Sequence, residues 1–149
     1  VLLLAKYNLT SDGKSQDTSG ASNECVFCSQ TAWSGANVET GDNLNAKETI
    51  KSDATSAVSK AIAYGESLGA TGGRLITYEE AEALTTNYSE ILYGKYTENG
   101  LNYWLGSAGS QIAPWYVSGG GSEFFFDEYN YDGNAGIRPV ITVPASSIK

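Results

Sequence analysis

Ile137-Arg138-Pro139-Val140-Ile141-Thr142-Val143 runs close to the end of the chain with apolar side chains at Ile137, Val140, Ile141 and Val143, the pattern of a strand with buried surface. Pro139 offers no amide donor, which predicts an edge or a bulge at that end of the strand. The other end of the chain, Val1 to Leu9, reads as a second strand, apolar on both faces at Leu2, Leu3 and Leu4. Antiparallel pairing of the two would bury both and bring the chain ends together. Arg138 sits inside the apolar run, where a guanidinium must be given partners, so a structural salt bridge or contacts to carbonyl oxygens are expected.

Between these strands the pattern changes twice. Thr10 to Asn23 is too hydrophilic to pack and reads as a surface loop. Ala54, Ala57, Val58, Ala61, Ile62 and Leu68 fall at helical spacing, with Ser52 or Asp53 to cap the start and Gly69 just past the end. Thr77-Tyr78-Glu79-Glu80 is a capping box that opens a second, short helix ending near Thr85. No third helix is expected. The remainder reads as short strands at Tyr103 to Leu105, Trp115 to Val117 and Glu123 to Phe126, with a turn at Gly119-Gly120-Gly121. The fold class is therefore α+β: two helices, small antiparallel sheets, paired terminal strands and long loops in one domain spanning residues 1–149.

Nine of the seventeen aromatic residues lie between Tyr103 and Tyr131, among Ser, Gly, Asn and Asp, and no Lys or Arg occurs from Tyr96 to Ile137. Tyr and Trp supply stiff amphipathic contact area and Ser, Gly and Asn adaptable hydrogen bonds, so the mixture is that of a binding surface. Phe124, Phe125 and Phe126 are consecutive, and a strand through them must turn at least one ring away from the buried face. Trp104 and Trp115 read as anchors beneath the loops, with their indole N–H groups satisfied locally.

The formal charge of −8 and pI near 4.4 argue against nucleic acid as a partner. The apolar run Val1 to Ala5 is too short to span a bilayer. The chain holds no methionine and starts inside an apolar strand, the expectation being either an artificially trimmed chain or a processed product, both compatible with removal of an upstream signal or anchor. Cys25-Val26-Phe27-Cys28 is compatible with a redox pair, half a zinc site or a local disulfide; without His or a second Cys pair, a closed zinc site is disfavoured. Loop-like neighbours Ser22, Asn23, Ser29 and Gln30 favour a structural disulfide between Cys25 and Cys28 in an extracytoplasmic protein, with free thiols the next reading. Glu128, Asn130, Asp132 and Gly133 match the first half of an EF-hand loop, but the position of its bidentate Glu is Pro139, so no metal site is expected; a solvated acidic loop is the simpler reading. Glu123 and Asp127 are candidate neighbours for the carboxylate pair that glycoside hydrolysis needs, but nothing in the sequence distinguishes them from surface acids, and the absence of His removes the commonest general base. No enzyme activity and no cofactor are expected. Asn8-Leu9-Thr10 and Asn87-Tyr88-Ser89 match the glycosylation sequon.

Strand, helix, capped helix, then short strands with long loops closed by terminal pairing is similar to the element order of the C-type lectin fold. Gly73-Arg74-Leu75-Ile76-Thr77-Tyr78-Glu79-Glu80-Ala81-Glu82 resembles the helix-opening stretch of the formylglycine-generating enzyme (sulfatase-modifying factor) branch, and Gly136-Ile137-Arg138-Pro139-Val140 resembles its closing strand. Tyr103-Trp104-Leu105-Gly106-Ser107, Trp115-Tyr116-Val117 and Gly136 to Pro144 resemble the variable region of ligand-binding proteins diversified by retroelements. The cysteines that serve the oxidase are missing after Cys28, and so are the calcium motifs of sugar-binding lectins.

The resemblance implies a non-enzymatic display protein, extracytoplasmic at a cell surface or secreted, with a variable region at about residues 103–143. Its presumed ligand-binding positions are Ser110, Ile112, Tyr116, Ser118, Phe124, Phe126, Asp127, Tyr129, Tyr131 and Asp132. The segment is rich in the residues that adenine mutagenesis of Asn codons yields, whereas Gln111, Trp115, Glu123 and Glu128 fall outside that set. The expected partner is a protein or other cell-surface ligand. The rival reading is a structural surface or pilin-like head whose aromatics are all packed.

Overall fold

In the computed structural model, which describes residues 1–93, 101–118 and 125–148 apart from the Phe125 side chain, the two ends of the chain meet in one sheet. Strand β1 (Leu2–Leu4) and strand β2 (Gly72–Leu75) flank β6 (Pro139–Thr142), all antiparallel. Leu3 lies opposite Ile141 and Arg74 opposite Val140. The terminal pairing expected from sequence is present, in shorter form: β1 covers three residues of the nine anticipated and is an exposed edge, with Leu2 53% and Leu3 40% accessible. Past Leu4 the chain bends, and its attachment to the closing segment continues through single bonds from the Ala5 amide to the Pro139 carbonyl and from the Leu9 amide to the Ile137 carbonyl.

Pro139 is not at an edge. It is the first residue of the central strand, where a missing amide does least damage. Its cross-strand partner Leu75 is satisfied instead by Asn45, whose Oδ1 accepts the Leu75 amide at 2.9 Å and whose Nδ2 donates to the Leu75 carbonyl at 3.0 Å.

A second sheet runs in chain order: β3 (Tyr103–Ala108), β4 (Pro114–Ser118) and β5 (Phe125–Glu128). It is tied to the first part of the fold by the Gly106 amide donating to Ile76 and the Trp104 amide donating to Gly136. Every residue of β3 is buried, and alternation along it separates two cores. Trp104 joins Phe27, Trp33, Leu44, Ile50, Val58 and Leu75, whereas Tyr103 and Leu105 join Ile76, Leu92, Leu101 and Val117.

Five α-helices, not two, occur among the described residues. The helix read at 53–68 is α3 (Ala57–Ser67), and its cap is Ser56, whose hydroxyl accepts from the Ser59 amide. Asp53 cannot serve, because its carboxylate is taken by the Thr55 amide and hydroxyl and by the Ser29 amide. Helix α4 (Tyr78–Leu84) carries the full Thr77/Glu80 capping box. The unforeseen helices are α1 (Gln30–Ala36), α2 (Glu48–Lys51) and α5 (Ser89–Tyr93). Each is seven residues or fewer, too short to show helical periodicity or to be stable alone, and each is held by buried side chains: Ala32, Trp33 and Ala36 on α1, Ile50 on α2, Leu92 on α5.

Arg138 is 1% exposed. Its Nε donates to the Ala5 carbonyl at 2.6 Å and an Nη to the Leu92 carbonyl at 3.0 Å, with the Tyr103 ring beneath the guanidinium at 5.2 Å. Carbonyl contacts, one of the two expected solutions, pin the chain just past the end of β1 and helix α5 to the closing strand, and the Tyr103 contact adds β3. No helix among the described residues is long and apolar enough to cross a membrane.

Candidate functional site: an aromatic face on the second sheet

Pairing across the second sheet places Trp104 opposite Tyr116 and Tyr116 opposite Asp127, so these three share one face. Trp104 is fully buried at its base, edge-on to Phe27 at 5.5 Å, with its indole N–H donated to the Cys25 carbonyl at 2.9 Å. Above it lie Tyr116 at 6.3 Å and Tyr129 at 5.9 Å, themselves 5.5 Å apart. Tyr129 crosses back over this face because Gly133 leaves room: a methyl built on Gly133 would overlap the Tyr129 ring. Tyr129 remains 41% exposed.

Tyr131 extends the face. Its ring stacks on Trp33 at 5.2 Å with an interplanar angle of 16°. Trp33 donates its indole N–H to the Gln111 carbonyl at 2.9 Å, and the Tyr131 amide donates to the Ile112 carbonyl. The tip of the β3–β4 hairpin is thereby held beside the stack, with Ile112 63% exposed. Ser110 shapes that tip by accepting the Ile112 amide on its hydroxyl.

The expected site residues therefore divide. Tyr116, Asp127, Tyr129 and Tyr131 share the face, with Ser118 bonded to the Tyr116 hydroxyl and Ser110, Ile112 and Asp132 in the adjoining turns. Phe126 does not join them. It lies opposite Val117 and packs on the other side of the sheet with Tyr78 at 5.6 Å and Tyr93 at 6.1 Å, where Trp115 sits against Tyr78 at 4.7 Å. Phe124 and Glu123 lie outside the described residues. Trp104 and Trp115 both serve as packing anchors, Trp104 the more deeply.

Two contributors were missed in the sequence. Trp33 stands in a segment to which the sequence reading gave no element, and the signal for it was Ser29, read as loop-like, capping a run with Ala32, Trp33 and Ala36 on one side. Glu24 is the other: exposed, it acts with Asp127 on the Tyr116 hydroxyl. Partial burial is the first cause that pushes the Tyr116 phenol up from its ordinary value, and Asp127, Tyr129 and Glu24 push it further. The face is thus aromatic at its centre and anionic around it.

The disulfide expected between Cys25 and Cys28 is not formed; both are free thiols. The intervening segment is committed to other bonds: Cys25 pairs with Ala135, the Phe27 amide donates to Tyr131 and the Phe27 carbonyl accepts from Ala57. Burial raises the Cys25 thiol, and burial with Asp53 nearby pushes Cys28 up to about 12, so neither is a reactive thiolate at neutral pH. Asn8 of the first sequon is fully buried, donating to the Ser22 and Asn102 carbonyls, while Asn87 of the second is exposed.

No family model, no curated protein and no solved structure matches this chain.

Proposed function

We propose that the chain is a non-enzymatic, ligand-binding display protein that presents a variable face on a scaffold of C-type lectin type, at a cell surface or in secreted form. The scaffold reading rests on the order of elements: paired terminal strands, α3, the capped α4, and a second sheet of short strands inserted before the closing strand. The binding reading rests on one observation. Tyr129 and Ile112 stay 41% and 63% exposed, beside half-buried Tyr116 and Tyr131, over a base of Trp104, Trp33 and Phe27 that is itself closed. A purely structural head would be expected to cover such rings, since exposed aromatic area grouped in one place marks contact surface.

The diversification part of this reading is tested by the gene neighbourhood. The expected finding is a near-copy of the codons for residues 103–143, differing at adenines, beside a reverse transcriptase. The binding part is tested by selecting binders of the intact chain from a displayed peptide library and repeating the selection with Tyr129→Ala. Enrichment that disappears with the variant supports the face; enrichment that survives it assigns binding elsewhere.

A further inference from the structure

We infer that the partner segment this face accepts is arginine-rich. The inference rests on the reading of the surface as a binding face and names the chemistry it selects. Asp127 lies directly across from Tyr116, Glu24 acts on the same phenol, and Asp132 stands in the turn just after Tyr131. All three are exposed, and none has an ion pair among the described residues. The ion pairs that are formed there lie elsewhere: Lys47 with Asp42, Lys51 with Glu48 and Arg74 with Glu80. The sequence itself supplies no Lys or Arg from Tyr96 to Ile137.

Docking an uncharged partner over these rings would draw Asp127 and Glu24 out of water with nothing to pair them, a cost that outweighs the burial of apolar ring surface. An anionic partner is repelled outright. A guanidinium satisfies both halves of the surface: its plane stacks on the Tyr116 and Tyr129 rings, and its forked N–H groups donate to a neighbouring carboxylate. Lysine would meet the charge but not the stacking geometry, so arginine is preferred.

The experiment titrates the isotope-labelled chain with nonaarginine, nonalysine and a neutral Tyr/Leu peptide, following affinity and the residues perturbed. Nonaarginine is expected to bind more tightly than nonalysine and to shift Tyr116, Tyr129 and Tyr131. The double variant Glu24→Gln/Asp127→Asn should weaken nonaarginine about tenfold, whereas Glu66→Gln/Glu79→Gln, the same charge change at exposed sites on other elements, should weaken it less than about twofold. Equal weakening by both pairs, or shifts mapping away from the three tyrosines, overturns the inference. A neutral peptide that binds in a Tyr129-dependent way while nonaarginine does not overturns the inference and leaves the display reading intact. Failure of every peptide to perturb the face counts against both.

Discussion

Glu80 combines two jobs in one carboxylate. It takes both Nη groups of Arg74 at 2.6 and 2.8 Å and accepts the Thr77 amide at 3.1 Å, closing the capping box. The Arg74 contact is the main reason its pKa falls from 4.5 to about 2. A folded value below the unfolded one means the group stabilises the fold above about pH 4.5 and loses that contribution as pH falls toward 2. With the side chain 36% exposed, solvent screening reduces the effect, and Glu80→Gln is expected to cost about 1–2 kcal/mol at neutral pH. Urea unfolding of both proteins down the pH scale checks this: the difference should shrink as the native carboxylate protonates, and a gap independent of pH would refute the assignment. Thr77 and Glu80 were legible in the sequence because a capping box is chemistry within four residues. Asn45, which feeds the strand edge at Leu75 from thirty residues away, carried no such signal.

Helix α3 and strand β2 meet through two glycines. Gly65 faces Gly73, and a methyl built on Gly73 would overlap the Ala61 carbonyl oxygen, which is backbone and cannot swing aside. Gly73→Ala should force helix and strand apart and cost about 3 kcal/mol, read as a shift in denaturation midpoint. A loss below about 1 kcal/mol would mean the two elements slide freely. This close approach explains why the register of β2 against β6 is fixed although β2 is only four residues long. Element by element, legibility followed length and local chemistry. Helix α3 and the capped α4 announced themselves by spacing and cap. Helices α1, α2 and α5 did not, since a one- or two-turn helix exists only because a tertiary core receives its single buried edge. Pro139 misled in the other direction: its missing donor suggested an edge, but the first position of a central strand tolerates it equally well.

Across the molecule, the aromatic face of the second sheet and the larger core are built together. Trp33 is buried in that core, edge-on to Phe27 at 6.1 Å, yet it also stacks Tyr131 and holds the Gln111 carbonyl. Trp33→Ala should therefore cost about 3–5 kcal/mol and also release the hairpin tip, so that Tyr131 and Ile112 lose their fixed positions. Thermal unfolding gives the first quantity and amide hydrogen exchange at residues 110–113 and 129–133 the second. Destabilisation without faster exchange there would show that the face is held independently of the core.

The sequence by itself determined the α+β class, the pairing of the terminal strands, the capped helix, the buried fate of Arg138 and the concentration of aromatic residues between Tyr103 and Tyr131. All of these follow from spacing, local capping or the cost of burying a charge. Only the tertiary structure decided which rings are displayed. Period-two alternation states that Tyr116 and Val117 point to opposite sides of the sheet, but both sides carry a core here, so alternation cannot say which side stays open. That depended on what lay against each side: Tyr78 and Tyr93 crowd Phe126 and Trp115, while Gly133 and the Trp33 stack leave Tyr129 and Tyr131 facing water.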